Sequence, residues 1–410
     1  MKKNISRRGF IGASSLATAG VAMGFNSLPF PSVGNIIGAN DNINIGVIGT
    51  GGRGSWAVKV AQGVPGINVT ACCDILPKNL ERGLSQAAEG AKGYKDYKKM
   101  LENKDLDAIV VATPLYLHSE MALDAIDAGK HVYCEKTMAF TIDQSKQLVE
   151  KVKNSKVVFQ VGYQQRVNPL FLKINDIISG GYIGDVKHIQ STWNRNGDWR
   201  KPVSDPALER HINWRMYLEY SGGLMAELSS HQIDVVNWLL GTHPLVASGL
   251  GGVDFWKDGR ETYDNISAVF EYPDGVKSQF TCLTTNAHEG FSMKFYGTKA
   301  SIVVNREQGQ QGFIYPEPVQ GANSDVDGVS GATKELMESG EAIPILVGDP
   351  SKDDSVPTGN AFEHFAECIK ESKQPNADVM SGHYGSVAVA MGNMAMRNRT
   401  TEMWKEEYTV

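Results

Sequence analysis

From residue 44 onward, short apolar runs alternate with amphipathic stretches, a pattern that predicts strand and helix in turn. Asn44 to Ile48 reads as a buried parallel strand, about Arg53 to Gln62 as a helix, and Ile67 to Cys73 as the next strand. A helix from Pro77 to about Ala88, a strand from Asp107 to Ala112 and a helix from Leu117 to Ala128 follow. Strand His131 to Cys134, helix Thr141 to Asn154 and strand Val157 to Val161 complete the series. Such alternation builds a doubly wound parallel sheet with ligands at the carboxyl ends of its strands.

The pattern changes after Tyr163. Ile266 to Tyr272 and Val276 to Leu283 predict a hairpin across Pro273-Asp274-Gly275, and Ser292 to Tyr296 with Ala300 to Val304 predict another. Between them and the first domain, about Leu224 to Leu240 is helical and is stopped by Gly241 and Pro244. Phe362 to Ile369 and Tyr384 to Met396 read as closing helices, and the polar, Gly-rich Val319 to Val356 as a long loop. At 410 residues the chain exceeds what one core usually serves. We expect an export signal and linker over 1–40, a nucleotide-binding domain over 41–163 and a substrate domain over 164–410 whose last helices can pack back on the first.

The first predicted strand runs directly into Gly49-Thr50-Gly51-Gly52-Arg53-Gly54, a G-x-G-x-x-G that opens a helix. Gly49 permits the tight turn, Gly51 admits pyrophosphate against the backbone, and Gly54 allows close helix–strand packing. The helix N-terminus offers free N–H groups and partial positive charge to phosphate. Asp74 closes the next strand, twenty residues past Gly54, where an acid accepts hydrogen bonds from ribose hydroxyls and favours NAD over NADP. Arg53 leaves a 2′-phosphate contact open. Together these define a Rossmann unit, and Thr113, Pro114, His118, Glu135 and Lys136 lie just past further strand ends.

Ala112-Thr113-Pro114 with His118, then Ala128-Gly129-Lys130-His131-Val132 and Glu135-Lys136, resemble the Gfo/Idh/MocA oxidoreductases. The resemblance runs from about Asn44 to the C-terminus and is strongest in its first 130 residues. It implies an α/β fold: a Rossmann domain followed by an α+β domain on a large, mostly antiparallel sheet that often forms an oligomer interface. It also implies cofactor contacts from Thr113, Pro114, His118, Glu135, Lys136 and Gln164. The family's Glu-Lys-Pro is Glu135-Lys136-Thr137 here, so the lysine carries over while the proline, which follows a strained and often cis peptide, does not.

In the second half Glu227, His231 and Asp234 are spaced four and three apart and so share one face of an α-helix. Polar groups on a buried helix are costly unless paired or functional. The resemblance implies that an acid, here Glu227, and His231 serve proton transfer with Lys136. Histidine suits that task because its pKa lies near operating pH, and a lysine can stabilise alkoxide charge. Glu227 is expected to orient His231 or to hydrogen-bond a neighbouring hydroxyl. Substrate contacts are expected from Tyr163 and Arg166, from Trp214 and Arg215 in the aromatic and cationic stretch that begins at Trp193, and from Asp234 and His383. Glu227 and His231 could also ligate a metal, but no third ligand is implied, and we expect none.

Net charge of −6 argues against a nucleic-acid partner. Five cysteines form no metal or disulfide spacing. Residues 1–40 set Lys2, Lys3, Arg7 and Arg8 before a charge-free stretch, and Ser6-Arg7-Arg8-Gly9-Phe10 resembles a twin-arginine export signal. Export to the periplasm, with no membrane span left after signal removal, implies a tightly held NAD. The expected activity is hydride transfer between NAD and a secondary hydroxyl of a sugar, glycoside or cyclic polyol, in a homo-oligomer. The alternative is a glycoside hydrolase using transient ring oxidation and elimination; a third class is a non-catalytic nucleotide-binding scaffold.

Overall fold

The computed structural model describes residues 42–305, 311–317, 342–347 and 357–410; the expected export signal lies outside them. Six parallel strands form the first sheet: β1 (Ile43–Ile48), β2 (Ile67–Cys73), β3 (Lys92–Tyr94), β4 (Ala108–Val111), β5 (His131–Cys134) and β6 (Phe159–Val161). Their order is β3-β2-β1-β4-β5-β6. The chain therefore reverses direction across the sheet between β1 and β4, and the cleft at such a switch point is where ligands bind. Both faces of the sheet are covered, so β4 is buried throughout and β1 at all but Asn44, which is why these strands read as largely apolar runs. Helix α1 (Gly52–Gln62) follows the glycine turn, and α2 (Pro77–Leu84) starts with proline at its first turn. Farther on come α3 (Tyr97–Leu101) and α4 (His118–Asp127). Helix α5 (Ile142–Lys153) is opened by a full capping box, Thr141 with Gln144.

The second sheet has nine strands. They are β7 (Val186–Trp193), β8 (Val246–Gly252), β9 (Asn265–Glu271), β10 (Lys277–Leu283), β11 (Phe291–Gly297), β12 (Ala300–Val304), β13 (Gln311–Pro316), β14 (Ile343–Leu346) and β15 (Glu402–Met403). The order is β14-β13-β12-β11-β7-β10-β9-β8-β15; β7 and β10 pair in parallel and the other pairs are antiparallel. The β9–β10 turn places Asp274 and Gly275 at φ of 58° and 71°, the left-handed region that Asp-Gly tolerates. β14 lies inside the stretch expected to be one long loop, where Ile343 and Ile345 hold an edge strand on β13.

One face of the second sheet packs on α6 (Pro169–Ser179), α8 (Ser230–Leu240) and α10 (Val379–Asn398); the short α7 (Glu209–Ile212) lies in the segment that follows β7. Helix α9 (Pro357–Glu371) returns to the first sheet, where Phe362 stacks on Tyr133 with ring centroids 4.6 Å apart. Among the described residues no helix is long and apolar enough to cross a membrane.

Four residues expected at the substrate do not line the cleft at the carboxyl ends of β1, β2, β4 and β5. Arg166 Nε donates to both carboxylate oxygens of Asp234 at 3.0 Å, and its Nη1 donates to Asn376 O at 3.1 Å. This buried pair ties the crossover to α8, and neither residue lines the cleft. Tyr163 is packed into the core of the first domain beneath α10, so closely that a Cβ on Gly385 would stand 2.4 Å from its hydroxyl. His383 is buried between Ser145 Oγ at 2.9 Å and the Tyr408 carbonyl at 2.6 Å. Arg166, Asp234 and His383 are buried with partners, whereas Tyr163, whose hydroxyl has none among the described residues, packs edge-on to the His231 ring with centroids 6.4 Å apart.

Replacing Arg166 with methionine strands the Asp234 charge and should cost about 3–5 kcal/mol of stability in denaturant unfolding. Arg166→Met combined with Asp234→Leu should recover most of that loss. A near-neutral single variant would show that the pair does not hold the two halves together.

Candidate active site

The carboxyl ends of β1, β2, β4 and β5 open into one cleft of about 1110 Å³. At its floor Gly49 has φ of 86°, and a Cβ there would lie 2.8 Å from the Ala112 carbonyl. A Cβ on Gly54 would lie 1.7 Å from Gly49 O, whereas one on Gly51 or Gly52 would meet nothing within 4 Å. The loop is thus tight behind and open in front, and α1 presents its first N–H groups without a side-chain cap. Thr50 turns its hydroxyl inward to Asn79 O at 2.9 Å, so only its backbone can serve the cradle.

Asp74 lines the same cleft and accepts from Leu76 N at 2.8 Å. Burial raises its carboxyl above the ordinary value, opposed by that hydrogen bond and by Arg82. Arg53 is committed elsewhere: its Nε donates to Glu135 Oε1 at 2.7 Å and its guanidinium lies 4.9 Å from the Trp56 ring. Arg53 also lines the cleft, with its Nε taken by Glu135. Lys78, Asn79 and Arg82, on one face of α2, line the adenosine end and were not anticipated, although their spacing directly after Asp74 is legible. An open glycine cradle, an uncapped helix start and an acid at the β2 end fit a dinucleotide. Gln164 Oε1 and Thr113 Oγ1 add buried polar atoms without a partner among the described residues.

His118 clamps the two loops that carry the chemistry, with Nδ1 2.8 Å from Thr137 O and Nε2 2.9 Å from Thr113 O. Burial lowers its pKa, against the pull of these two carbonyls. The Lys136–Thr137 peptide is cis although no proline follows. Lys136 Nζ donates to Glu227 O at 2.6 Å and to Ala226 O at 3.3 Å, and Thr137 Oγ1 donates to Ala226 O at 3.2 Å.

Those carbonyls belong to a π turn, Met225–Ser229, that runs directly into α8. The wider turn changes the register expected from α-helical spacing. Glu227 and His231 still line one cleft, but Glu227 and Asp234 take different partners. Glu227 Oε2 accepts from Arg215 Nε at 2.7 Å instead of orienting His231, and Asp234 turns to Arg166. Burial favours the neutral acid of Glu227, but Arg215 and Lys136 outweigh it and hold the carboxyl below its ordinary value.

His231 is buried at the cleft wall, 5.5 Å from the Trp193 ring centroid, and its Nδ1 has no partner among the described residues. Burial places its pKa well below the ordinary value, and the Lys136 and Arg53 charges push the same way. Burial also lowers Lys136, against the carboxylates of Glu227 and Glu135. Trp214 lies 4.2 Å from the Arg215 guanidinium, and both line the cleft.

A dinucleotide cradle that ends at a buried lysine and a neutral histidine defines a nicotinamide-dependent dehydrogenase fold and site. Residues 43–163 match the oxidoreductase family with an NAD-binding Rossmann fold, and residues 171–303 match the GFO/IDH/MocA C-terminal domain. The chain belongs to the Gfo/Idh/MocA family of oxidoreductases, and its cofactor is NAD. Levoglucosan dehydrogenase of Pseudarthrobacter phenanthrenivorans is 26% identical over 65% of this chain and 74% of its own length. Inositol 2-dehydrogenase of Salmonella typhimurium is 29% identical over 48% of this chain, which spans 54% of that protein. A solved levoglucosan dehydrogenase, in complex with NADH and levoglucosan, shares the fold with a TM-score of 0.72 at 19% identity, over 88% of this chain and 99% of that one.

The two faces of the glycine loop make separable predictions. Gly54→Ala should cost about 3 kcal/mol or more of stability, because the obstacle is backbone. Gly51→Ala should leave the melting temperature unchanged while raising the NADH Kd about tenfold or more. Calorimetry of both variants, free and with NADH, checks the split; equal NADH affinity in Gly51→Ala would remove the cradle assignment.

Proposed function

We propose that the protein oxidises a secondary hydroxyl of a sugar, glycoside or cyclic polyol, with Lys136 and His231 as the proton-handling pair. The observation that carries this reading is that the Lys136 ammonium and the His231 imidazole line one cleft with the glycine cradle, close enough that the ammonium depresses the imidazole. The relatives named for levoglucosan and inositol act on ring hydroxyls of this kind. NAD, held by the cradle, Asp74 and the loops after β4 and β5, supplies the hydride acceptor.

His231, neutral because it is buried, accepts the hydroxyl proton as the C–H bond breaks. Lys136 has three N–H donors; two point at the Ala226 and Glu227 carbonyls, and the third serves the oxygen on which negative charge develops. The Glu227 carboxylate keeps the ammonium charged, and Arg215 keeps that carboxylate ionised. Trp193 and Trp214 offer aromatic faces to the sugar ring.

His231→Gln should lower kcat about 10²- to 10⁴-fold with the NADH Kd little changed, and Lys136→Met should lower kcat comparably. Because the imidazole pKa is depressed, kcat/KM should stay level as pH falls through 6.5 and drop only well below it. A panel of sugars, p-nitrophenyl glycosides and inositols tests the reaction class. Cofactor reduction without aglycone release supports the dehydrogenase. Release without net reduction supports the glycoside hydrolase, and neither reaction leaves a nucleotide-binding scaffold.

We further propose that the protein is exported folded through its Arg7-Arg8 signal, keeps NAD bound, and assembles through the outer face of the second sheet. An exported enzyme meets essentially no free NAD pool, and that outer face exposes Leu250 and Val269. One preparation reads all three: the extracytoplasmic fraction should contain the chain, with stoichiometric nicotinamide after desalting and a mass above the monomer. Arg7→Lys with Arg8→Lys should shift it to the cytoplasm, and a cofactor-free monomer would refute retention and assembly.

A further inference from the structure

The cleft carries more positive charge than a dinucleotide needs. Among the described residues nine lysine and arginine side chains but three carboxylates line it, in a chain whose formal net charge is −6. A pyrophosphate offsets two of these charges. The remainder forms a concentrated positive field in an otherwise acidic protein, and such fields attract and orient anions.

Sorting the cations at the reacting end by partner leaves Arg195 and Lys201 without a carboxylate among the described residues, and of these two Arg195 is the one resting on an aromatic ring. Arg53 holds Glu135, and Arg215 holds Glu227. Lys136 is on two carbonyls, and Arg210 reaches Glu219 at 2.8 Å and Glu261 at 3.6 Å. Arg195 differs. Its backbone N–H donates to Leu283 O at 2.8 Å, but its guanidinium has no carboxylate or carbonyl partner among the described residues and lies 5.5 Å from the Trp193 ring centroid. The same indole stands 5.5 Å from the His231 ring. Guanidinium and imidazole are therefore at most twice that distance apart, a span that one hexose ring with a hydrogen bond at each end can bridge. An arginine leaning on an aromatic ring keeps its planar donor fork pre-organised, which suits paired hydrogen bonds to a carboxylate, phosphate or sulfate group.

Resting on the dehydrogenase reading, we propose that the substrate is an anionic sugar, with Arg195 receiving the anionic group while His231 takes the proton from a hydroxyl across the ring. Trp193, 5.5 Å from each, lines the same part of the cleft.

The test uses the purified holoenzyme and matched pairs: D-glucuronate against D-glucose, D-galacturonate against D-galactose, and glucose 6-phosphate and 6-sulfate against the same neutral parent, with myo-inositol alongside. At least one anionic member should exceed its neutral parent in kcat/KM by about 10- to 100-fold, as expected for a charge-assisted hydrogen bond. That ratio should shrink as salt is added. Arg195→Gln should bring the ratio close to one, and Arg195→Lys should retain part of it. Because Arg195 is exposed, the NADH Kd and melting temperature of the variants report whether the fold is intact. Uronate and ester arms tell which anion is read. Neutral sugars oxidised as well as their anionic partners, or a ratio that survives Arg195→Gln, would sink the proposal while leaving the dehydrogenase intact. No oxidation of any sugar would take both readings down.

Discussion

The donation of the Lys136 ammonium into the carbonyls of Ala226 and Glu227 is the interaction on which the site depends. It joins the carboxyl end of β5 to the π turn of the second domain, and so sets the distance between the cofactor side and the substrate side. The carbonyls can receive it because the wider turn presents them to side-chain donors, which also include Thr137 and Ser230. Thr137 thus stands where the family carries proline and contributes a hydrogen bond that proline has no donor to make. His118, bridging the β4 and β5 loops, fixes the other end of the same lysine.

Electrostatics then divides the two reacting groups. Lys136 and His231 are both buried, and burial disfavours the charged form of each. Glu227 and Glu135 counter that effect at the lysine alone, while the lysine adds to it at the histidine. Burial and the lysine charge thus both favour the neutral imidazole, while at the lysine the carboxylates oppose burial, the balance on which the proposed alcohol oxidation draws. Arg215 is a positioning residue here. Without it, the Glu227 carboxyl would face its burial with less help, and the charge that steadies Lys136 would weaken.

The cradle was legible in the sequence because its glycines answer to backbone geometry: the 1.7 Å clash at Gly54 and the positive φ at Gly49 admit little else. Parallel strands were legible as largely apolar runs, and the β9–β10 hairpin through Asp274-Gly275. What was hidden depended on partners distant in sequence. Arg166 and Asp234, 68 residues apart, read as substrate contacts until they are seen holding each other. The π turn was invisible because hydrophobic periodicity assumes a fixed number of residues per turn. Strand β8, with three glycines among its seven residues, lacks the β-branched density that announces a strand, and β14 is four residues long with a proline at its second position.

Chemistry and selectivity accordingly sit on separate elements. The cofactor side is built from backbone constraints in the first domain, which leave little room for variation. The far wall comes from the end of β7 and the segment after it, where Arg195, exposed just past the strand, can differ without disturbing the sheet, whereas Trp193 belongs to the core and Arg215 supports Glu227. In that wall carboxylates hold Arg210 and Arg215, so those cations serve the architecture first. Arg195 has only an aromatic ring behind it and is exposed to the cleft. A charge held in place but left without a partner among the described residues is stabilised by what binds to it, and this is the ground for proposing that the wall after β7, rather than the proposed proton-handling pair, reads the substrate.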